Sequence, residues 1–443
     1  MTKLKLRGAA ALALICCSLA TEAYSQSNQL SMTLDECLEY AKLSSITLQE
    51  AKIEIENSSA SELSARGAFL PAVTGVVGQD LNSNPLNMDP SASKSSYSGS
   101  YSVGLSMTLY NGGSNRYTLQ DSKVCSDIAN AELKEFENSI EVAVTQAYIE
   151  ILYAMEQISV AENSLEVSRQ NEARGRAFLK AGSINEVDLA QLVSATAQYQ
   201  YELVVAKSQL SNLYVALKQL LEITNGATLS VKKPELSQSL LLAAIPSVEE
   251  VYATALESRP EIVASKLYVQ SAELNERIAK SAYLPTLSLS ASTGLTHNTS
   301  NAFAFNNQLR NNYNTAAGLN LSIPIFNGFQ TRASVTQAVN DVRIASLSLT
   351  QAQKDLYLAI ETLHNDAQTS QALYAVSELQ LSATEKSMTL TKQQFEVGMK
   401  NTIELLTEQD NYRQASQTYL MNKYKLILNK ALLNYYKTNI IKL

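Results

Sequence analysis

Along most of the chain apolar residues recur every third or fourth position, but in a few short stretches they recur every second one. Between residues 97 and 109 the odd positions are Tyr97, Gly99, Tyr101, Val103, Leu105, Met107 and Leu109. The even positions are Ser98, Ser100, Ser102, Gly104, Ser106 and Thr108. A period of two predicts a strand with one apolar and one polar face. Tyr313, Ala317, Leu319, Leu321, Ile323 and Ile325 repeat the pattern against Asn314, Gly318, Asn320 and Ser322. Leu287, Leu289 and Leu295 alternate with Ser288, Ser290 and Thr296, and a weaker run extends from Val73 to about Leu81. The expected strands are 71–82, 97–110, 285–297 and 313–326.

The remaining periodicity is helical. Ile140, Val144, Ala147, Ile151, Ala154, Ile158, Ala161 and Leu165 are spaced alternately by four and three, which is coiled-coil spacing. A helix from about 114 to 174 would be roughly 90 Å long and needs partner helices along its length to cover that stripe. The segments before Pro71 and Pro285 also read as helix, and each proline stops its own, because it has no N–H to donate and restricts the residue before it.

These elements are written twice. A shift of 214 lays residues 34–71 on 248–285, with Leu70-Pro71 on Leu284-Pro285 and Phe69 on Tyr283. A shift of 216 then lays LSMTLYNGGSNR (105–116) on LSIPIFNGFQTR (321–332), and Gly182 and Asn185 on Gly398 and Asn401. The same shift carries the apolar seam onto Leu356, Ile360, Leu363, Ala367, Ser370, Tyr374, Ser377 and Leu381. Each half reads helix, strand, loop, strand, long helix, turn, helix. The expected divisions are a leader at 1–25, a first repeat at 26–222, a joining segment at 223–247 and a second repeat at 248–443.

Composition narrows the class. With 45% apolar and 17% charged residues the chain is a folding sequence, and a net charge of −7 argues against nucleic acid as a partner. Lys3, Lys5 and Arg7 precede an apolar run from Ala9 to Ala20, with Ala23 and Ser25 placed for cleavage before Gln26. This reads as a secretory signal, too short to span a bilayer. Cys16 follows Ile15, where a lipobox wants Gly or Ala, so lipidation is not expected there or at Cys17. The two later cysteines, Cys37 and Cys125, make no disulfide framework and are expected as free thiols.

Beyond the leader no apolar run reaches about 18 residues, so any membrane span must be a β-barrel. Strands that set aliphatic and tyrosine side chains against small polar ones fit a wall between lipid and water. The alternative is an amphipathic sheet on a soluble core. Four strands are too few to close a barrel, since about eight is the minimum, so several chains would have to share one.

The Leu-Pro stops, the LSMTLYNGG and LSIPIFNGF corners and the FLKAGSINEVDLAQ and FEVGMKNTIELL hairpins recur in the same order in both halves. In that order they resemble the TolC family of outer-membrane efflux proteins over nearly the whole mature chain. The resemblance implies a membrane α+β fold: a homotrimer sharing a 12-stranded β-barrel, four strands per chain, continued by a periplasmic helical coiled-coil barrel. Loops 83–96 and 298–312 would face outside, and 223–247 would join a girdle around the helices. The implied function is the exit duct of a tripartite efflux system, coupled by a periplasmic adaptor (membrane fusion) protein to an inner-membrane RND, ABC or MFS transporter. The same duct in type I protein secretion, or a periplasmic coiled-coil structural or adaptor protein, are the alternatives.

Candidate sites follow from this layout. Tyr101, Val103, Leu105, Leu319, Leu321 and Ile323 are expected to face lipid. The adaptor is expected at the hairpin tips, Ala181, Gly182 and Ser183 with Val397, Gly398 and Met399. The family's periplasmic gate acids would fall at Glu404 and at Thr407, where this chain has no acid, with Glu408 and Asp410 nearby; like-charge repulsion would raise their pKa values. Asp188 is the first-repeat equivalent of Glu404, expected on the outer side of the tube. No catalytic, cofactor or metal motif appears. His297 and His364 stand alone, each expected hydrogen-bonded or exposed, GxxxxGK[ST] is missing, and Asn-Gly-Gly at 111–113 reads as a corner.

Overall fold

A computed structural model describes residues 29–83, 85–86, 95–224, 228–234, 244–300 and 303–441. The leader at 1–25, with Cys16 and Cys17, lies outside the described residues, as do parts of segments 83–96, 223–247 and 298–312. In chain order the elements are β1 (Gln29–Met32), α1 (Leu34–Ser44), α2 (Ile46–Gly67), β2 (Ala72–Ser83), β3 (Ser95–Asn111), α3 (Ser114–Lys180), α4 (Glu186–Leu220) and β4 (Thr228–Val231). They continue as α5 (Val248–Ser258), α6 (Pro260–Ser281), β5 (Thr286–Asn298), α7 (Phe305–Asn311), β6 (Asn314–Ser322), α8 (Gln330–Glu396) and α9 (Thr402–Thr438). The chain forms two compact units, and each draws on both repeats.

One unit, Gln49–Glu135 with Leu256–Leu356, holds a four-stranded antiparallel sheet in the order β2-β3-β5-β6. The duplication is visible in its register. Val73 faces Leu105 and Val77 faces Tyr101; shifted by 214 and 216, these become the observed pairs Leu287–Leu321 and Ala291–Ala317. Two details depart from simple alternation. A bulge at Leu109 puts Tyr110, not Leu109, opposite Leu287. β6 ends at Ser322 and not near 326, because Pro324 cannot donate to a ladder. Gly112 and Gly113 turn the first corner at φ 69° and 88°.

The other unit contains the described residues within Met1–Leu48, Phe136–Ala255 and Tyr357–Leu443. Its core gathers Tyr148, Ile151, Leu217, Leu426 and Tyr435. The coiled-coil seam is kept in both copies: Val144, Ile151, Ala154 and Leu165 are buried on α3, and Ile360, Ala367, Ser370, Tyr374 and Ser377 on α8. The polar members find partners, as where Asn429 Nδ2 donates to Ser370 Oγ at 2.9 Å. Glu156 on α3 is half-buried between Lys423 on α9 (3.1 Å) and Lys233 after β4 (2.5 Å). Burial opposes its ionisation, but the lysine hydrogen bonds outweigh that and hold its pKa below the usual carboxylate range.

Two features of this unit were not expected. β1 pairs in parallel with β4, Gln29 opposite Thr228 through Met32 opposite Val231. Tyr148 Oη donates to the Lys232 carbonyl beside that pair at 2.6 Å. The first helix is also broken in two, because the Ser45 side chain caps a new start by accepting from Leu48 N–H at 3.3 Å.

Candidate functional site: two sheet faces and two hairpin tips

The sheet register decides which side chains share a face, because residues directly opposite across a ladder point the same way. Leu105 lies between Val73 on β2 and Ala291 on β5. Val103 and Tyr101 follow on the same face, and Leu319 and Leu321 join it opposite Leu289 and Leu287. The opposite face carries Ser102, Ser106, Ser290, Gly294, Gly318, Asn320 and Ser322. Five of the six expected apolar-face residues are thus brought together on one side of one sheet. Ile323 is not among them, since the strand has already ended.

At the loop end of the sheet His297 lies on the apolar face, and it is neither exposed nor hydrogen-bonded as expected. It is 7% exposed and its Nδ1 has no hydrogen-bond partner. Phe305 of α7 meets it edge-on at 4.9 Å between centroids, and Tyr97 and Tyr101 lie at 5.5 and 6.2 Å. Helix α7 forms where the sequence suggested only a loop. Gln308 anchors it by accepting from Asn298 N–H at 2.8 Å and donating to the Phe303 carbonyl at 2.7 Å.

In the other unit the two hairpin tips share one design. α3 ends in a Schellman motif, with Ser183 N–H donating to Phe178 O at 2.9 Å and Gly182 N–H to Leu179 O at 3.0 Å. α8 ends likewise, through Met399 to Gln394 at 2.8 Å and Gly398 to Phe395 at 3.0 Å. Gly182 and Gly398 take φ 70° and 75°, which suits residues without a Cβ. The Phe178 and Phe395 rings pack 5.8 Å apart. An open cleft of about 620 Å³ lies beside them, lined by Asp188, Lys400, Thr402 and Glu404. Val397 and Met399 are 70% and 75% exposed.

The acids near the second tip are all engaged within the chain. Glu404 and Asn401 form a capping box at the start of α9, and Lys400 Nζ reaches Glu404 Oε1 at 2.5 Å. Within the single chain the Lys400 hydrogen bond first, and the cap bond second, lower the Glu404 pKa. Asn185 and Asp188 make the same box at the start of α4. Thr407 Oγ1 donates back to the Ile403 carbonyl at 2.9 Å. Glu408 accepts from Ser387 Oγ at 3.0 Å, and Asp410 pairs with Arg413 at 2.5 Å. Sequence reasoning weighed these residues as charges and missed the caps, although Asn-x-x-Glu and Asn-x-x-Asp before a helix spell that motif.

Among the described residues no cluster of acids, histidines and cysteines could hold a metal, and no helix is long and apolar enough to cross a membrane. Cys37 and Cys125 are free thiols.

The sequence matches the family model described as "Outer membrane efflux protein" over residues 38–222 and 251–434. The outer membrane efflux protein BepC of Brucella suis is 22% identical over 383 residues, which is 86% of this chain and 80% of that protein. The outer membrane protein TolC of Vibrio cholerae is 24% identical over 373 residues, 83% and 81% of the two chains. Among solved structures, CusC superposes with a TM-score of 0.79 at 16% identity, covering 93% of this chain and 94% of the other. The Vibrio cholerae outer membrane protein VceC gives 0.78 at 16% identity, covering 91% and 96%.

Proposed function

Because the chain belongs to the outer membrane efflux protein family, we propose that it is the outer-membrane exit duct of an efflux or export system, a passive conduit with no catalytic chemistry of its own. The observation that carries this reading is the division of one sheet into an apolar and a small-polar face. The apolar face, with Val103, Leu105, Leu319 and Leu321, lies against lipid, and the serine-rich face lines water. β3 and β5, of 17 and 13 residues, exceed the roughly 9–11 residues a tilted strand needs to cross a bilayer. Both outer strands of the sheet have one unpaired edge, which is not tolerated in hydrocarbon. Three copies closing a 12-stranded barrel would remove all of these edges.

The hairpin tips lie in the periplasm and meet an adaptor protein that links the duct to an inner-membrane transporter. Exposed Val397 and Met399 offer apolar contact there, beside Gly398, and Ala181, Gly182 and Ser183 form the matching tip of the first repeat. Glu404 is the gate acid, with Lys400 as its counter-charge in the chain described. Planar-bilayer recording tests the duct: purified protein should need detergent for extraction and then conduct ions stepwise. Release from membranes by high salt alone, with no conductance, would favour a scaffold instead.

A further inference from the structure

The apolar face of the sheet continues past its last strand pairs onto α7. On β5 that face carries Leu287, Leu289, Ala291, Thr293, Leu295 and finally His297, opposite Gly99 on β3. Phe305 at the start of α7 closes over the His297 ring, and Tyr97 and Tyr101 flank it. Tyr313, just before β6, joins the same face, since Thr293 Oγ1 donates to its hydroxyl at 3.0 Å. Helix α7 therefore covers the loop end of the apolar face. It is fixed there by polar bonds at two points. Buried Gln308 holds the Asn298 N–H and the Phe303 carbonyl, and Asn312 Nδ2 donates to the Thr296 carbonyl at 2.7 Å.

Covering the sheet does not bury the aromatic residues of this segment. Phe303 is 59% exposed and Phe305 51%, with Tyr97 and Tyr313 exposed beside them. Their height on the sheet says what meets them. Tyr110, at the helix end of β3, is on the same face, opposite Leu287. From Tyr97 to Tyr110 the strand runs about 43 Å at roughly 3.3 Å per residue. Tilted by about 35–45°, as barrel strands are, it rises about 30–35 Å. A hydrocarbon core is about 30 Å thick. Side chains level with Tyr97 thus stand at the boundary between acyl chains and headgroups, where aromatic rings collect. Two exposed phenylalanines are costly in water and favourable at that boundary.

We propose that α7 is an interfacial helix: it rests against the outer leaflet of the membrane, with Phe303 and Phe305 between headgroups and acyl chains, and does not fold over the mouth of the duct. This rests on the lipid-face reading of Leu105 given above and extends that surface from the strands onto the segment between β5 and β6.

The chain has no tryptophan, so a single introduced one reports on its own surroundings. Phe303 is exposed, and replacing it leaves the rings around His297 in place. Phe303→Trp protein in phosphatidylcholine vesicles should lose emission to lipid brominated near the headgroup end of its chains. It should lose less to lipid brominated near the chain ends, and little to iodide in the water. Leu105→Trp should show the reverse order between the two lipids, and Ser106→Trp should respond to neither. If Leu105→Trp is quenched by lipid while Phe303→Trp answers only to iodide, α7 lies in water; the proposal then fails and the lipid face stands. If neither lipid quenches Leu105→Trp, the lipid face itself is lost and the placement of α7 with it. Quenching of Phe303→Trp chiefly by the deep bromines overturns the interfacial depth.

Discussion

Asn401 and Glu404 hold each other at the start of α9: Asn401 N–H donates to Glu404 Oε2 at 3.0 Å, and Glu404 N–H to Asn401 Oδ1 at 2.8 Å. The carboxylate therefore orders a helix end whatever its role in ion passage. Its pKa is lowered in the folded chain, so its contribution is present above the unfolded value and is lost as pH falls through the folded one. Protection factors of the amides in the first turn of α9, corrected for the intrinsic exchange rate at each pH, should be higher at neutral pH and fall in the acid range. Asn401→Ala should cost about 1 kcal/mol of cap stability and leave a neutral-pH charge pattern unchanged. Glu404→Gln should weaken cation preference in bilayer recordings, and Asp188→Asn should alter it little. Unchanged selectivity in Glu404→Gln would leave Glu404 as a cap alone.

Leu105 and Ser106 are adjacent on β3 but lie on opposite faces of the sheet. Arginine on the lipid face near the midplane of a barrel costs about 2–4 kcal/mol, while a lumen position tolerates it. Leu105→Arg should reduce the yield of detergent-extracted, folded protein sharply, and Ser106→Arg should leave yield intact while altering conductance. Equal losses in both variants would count against lipid on the Leu105 face.

Gly99 lies directly beneath His297, and a Cβ there would come within 2.2 Å of the imidazole Cε1. The ring is held by Tyr97, Tyr101 and Phe305 and has little room to yield. Gly99→Ala should destabilise the folded sheet by about 1–3 kcal/mol as an overpacked site. Gly104→Ala, where nothing lies within 4 Å, is the matched control and should be near neutral. Thermal melts of the two variants in detergent would separate them, and similar midpoints would mean the cage around His297 gives way easily.

Met399 tests the docking tip more cleanly than Gly398. Any side chain at Gly398 meets a backbone at φ 75°, so Gly398→Trp mixes strain with lost docking, although it too should block transport. Met399 is exposed and carries no such constraint. Met399→Asp should leave the melting temperature unchanged within error and lower transport in cells by removing apolar contact with the adaptor. Full transport by a normally expressed Met399→Asp protein would move the contact elsewhere.

Alternation made the sheet legible because a period of two survives wherever one face meets a different surroundings from the other; Tyr101 to Leu105 needed nothing more. The coiled-coil seam was legible for the same reason, including Ser370 and Ser377, which fit the spacing although they are polar. What escaped depends on a single backbone event or on a distant partner. The bulge at Leu109 moves one residue and leaves no periodic trace. The Pro324 stop was readable, but the apolar residues after it, Ile325 and Phe326, suggested a longer strand. β1 is four residues long and pairs with β4, also four, across most of a repeat, so neither has a local signature. The Glu404 cap is written plainly in Asn-x-x-Glu, but a carboxylate beside a tip counts both as a charge and as a hydrogen-bond acceptor, and its spacing from the glycine points to the first.

The β1–β4 pair also sets an order of events. Gln29 waits for Thr228, about 200 residues later, before it can form its ladder, and closing so long a loop is slow compared with forming the helices between. A chain arriving N-terminus first in the periplasm holds Leu30, Met32 and Leu34 without their final cover until the whole first repeat has followed. Met32 and Leu34 then enter the same buried cluster as Leu229 and Val231. The cluster also takes Leu426, Tyr435 and Ile441 from the second repeat, so it closes around β1 only once both repeats are present.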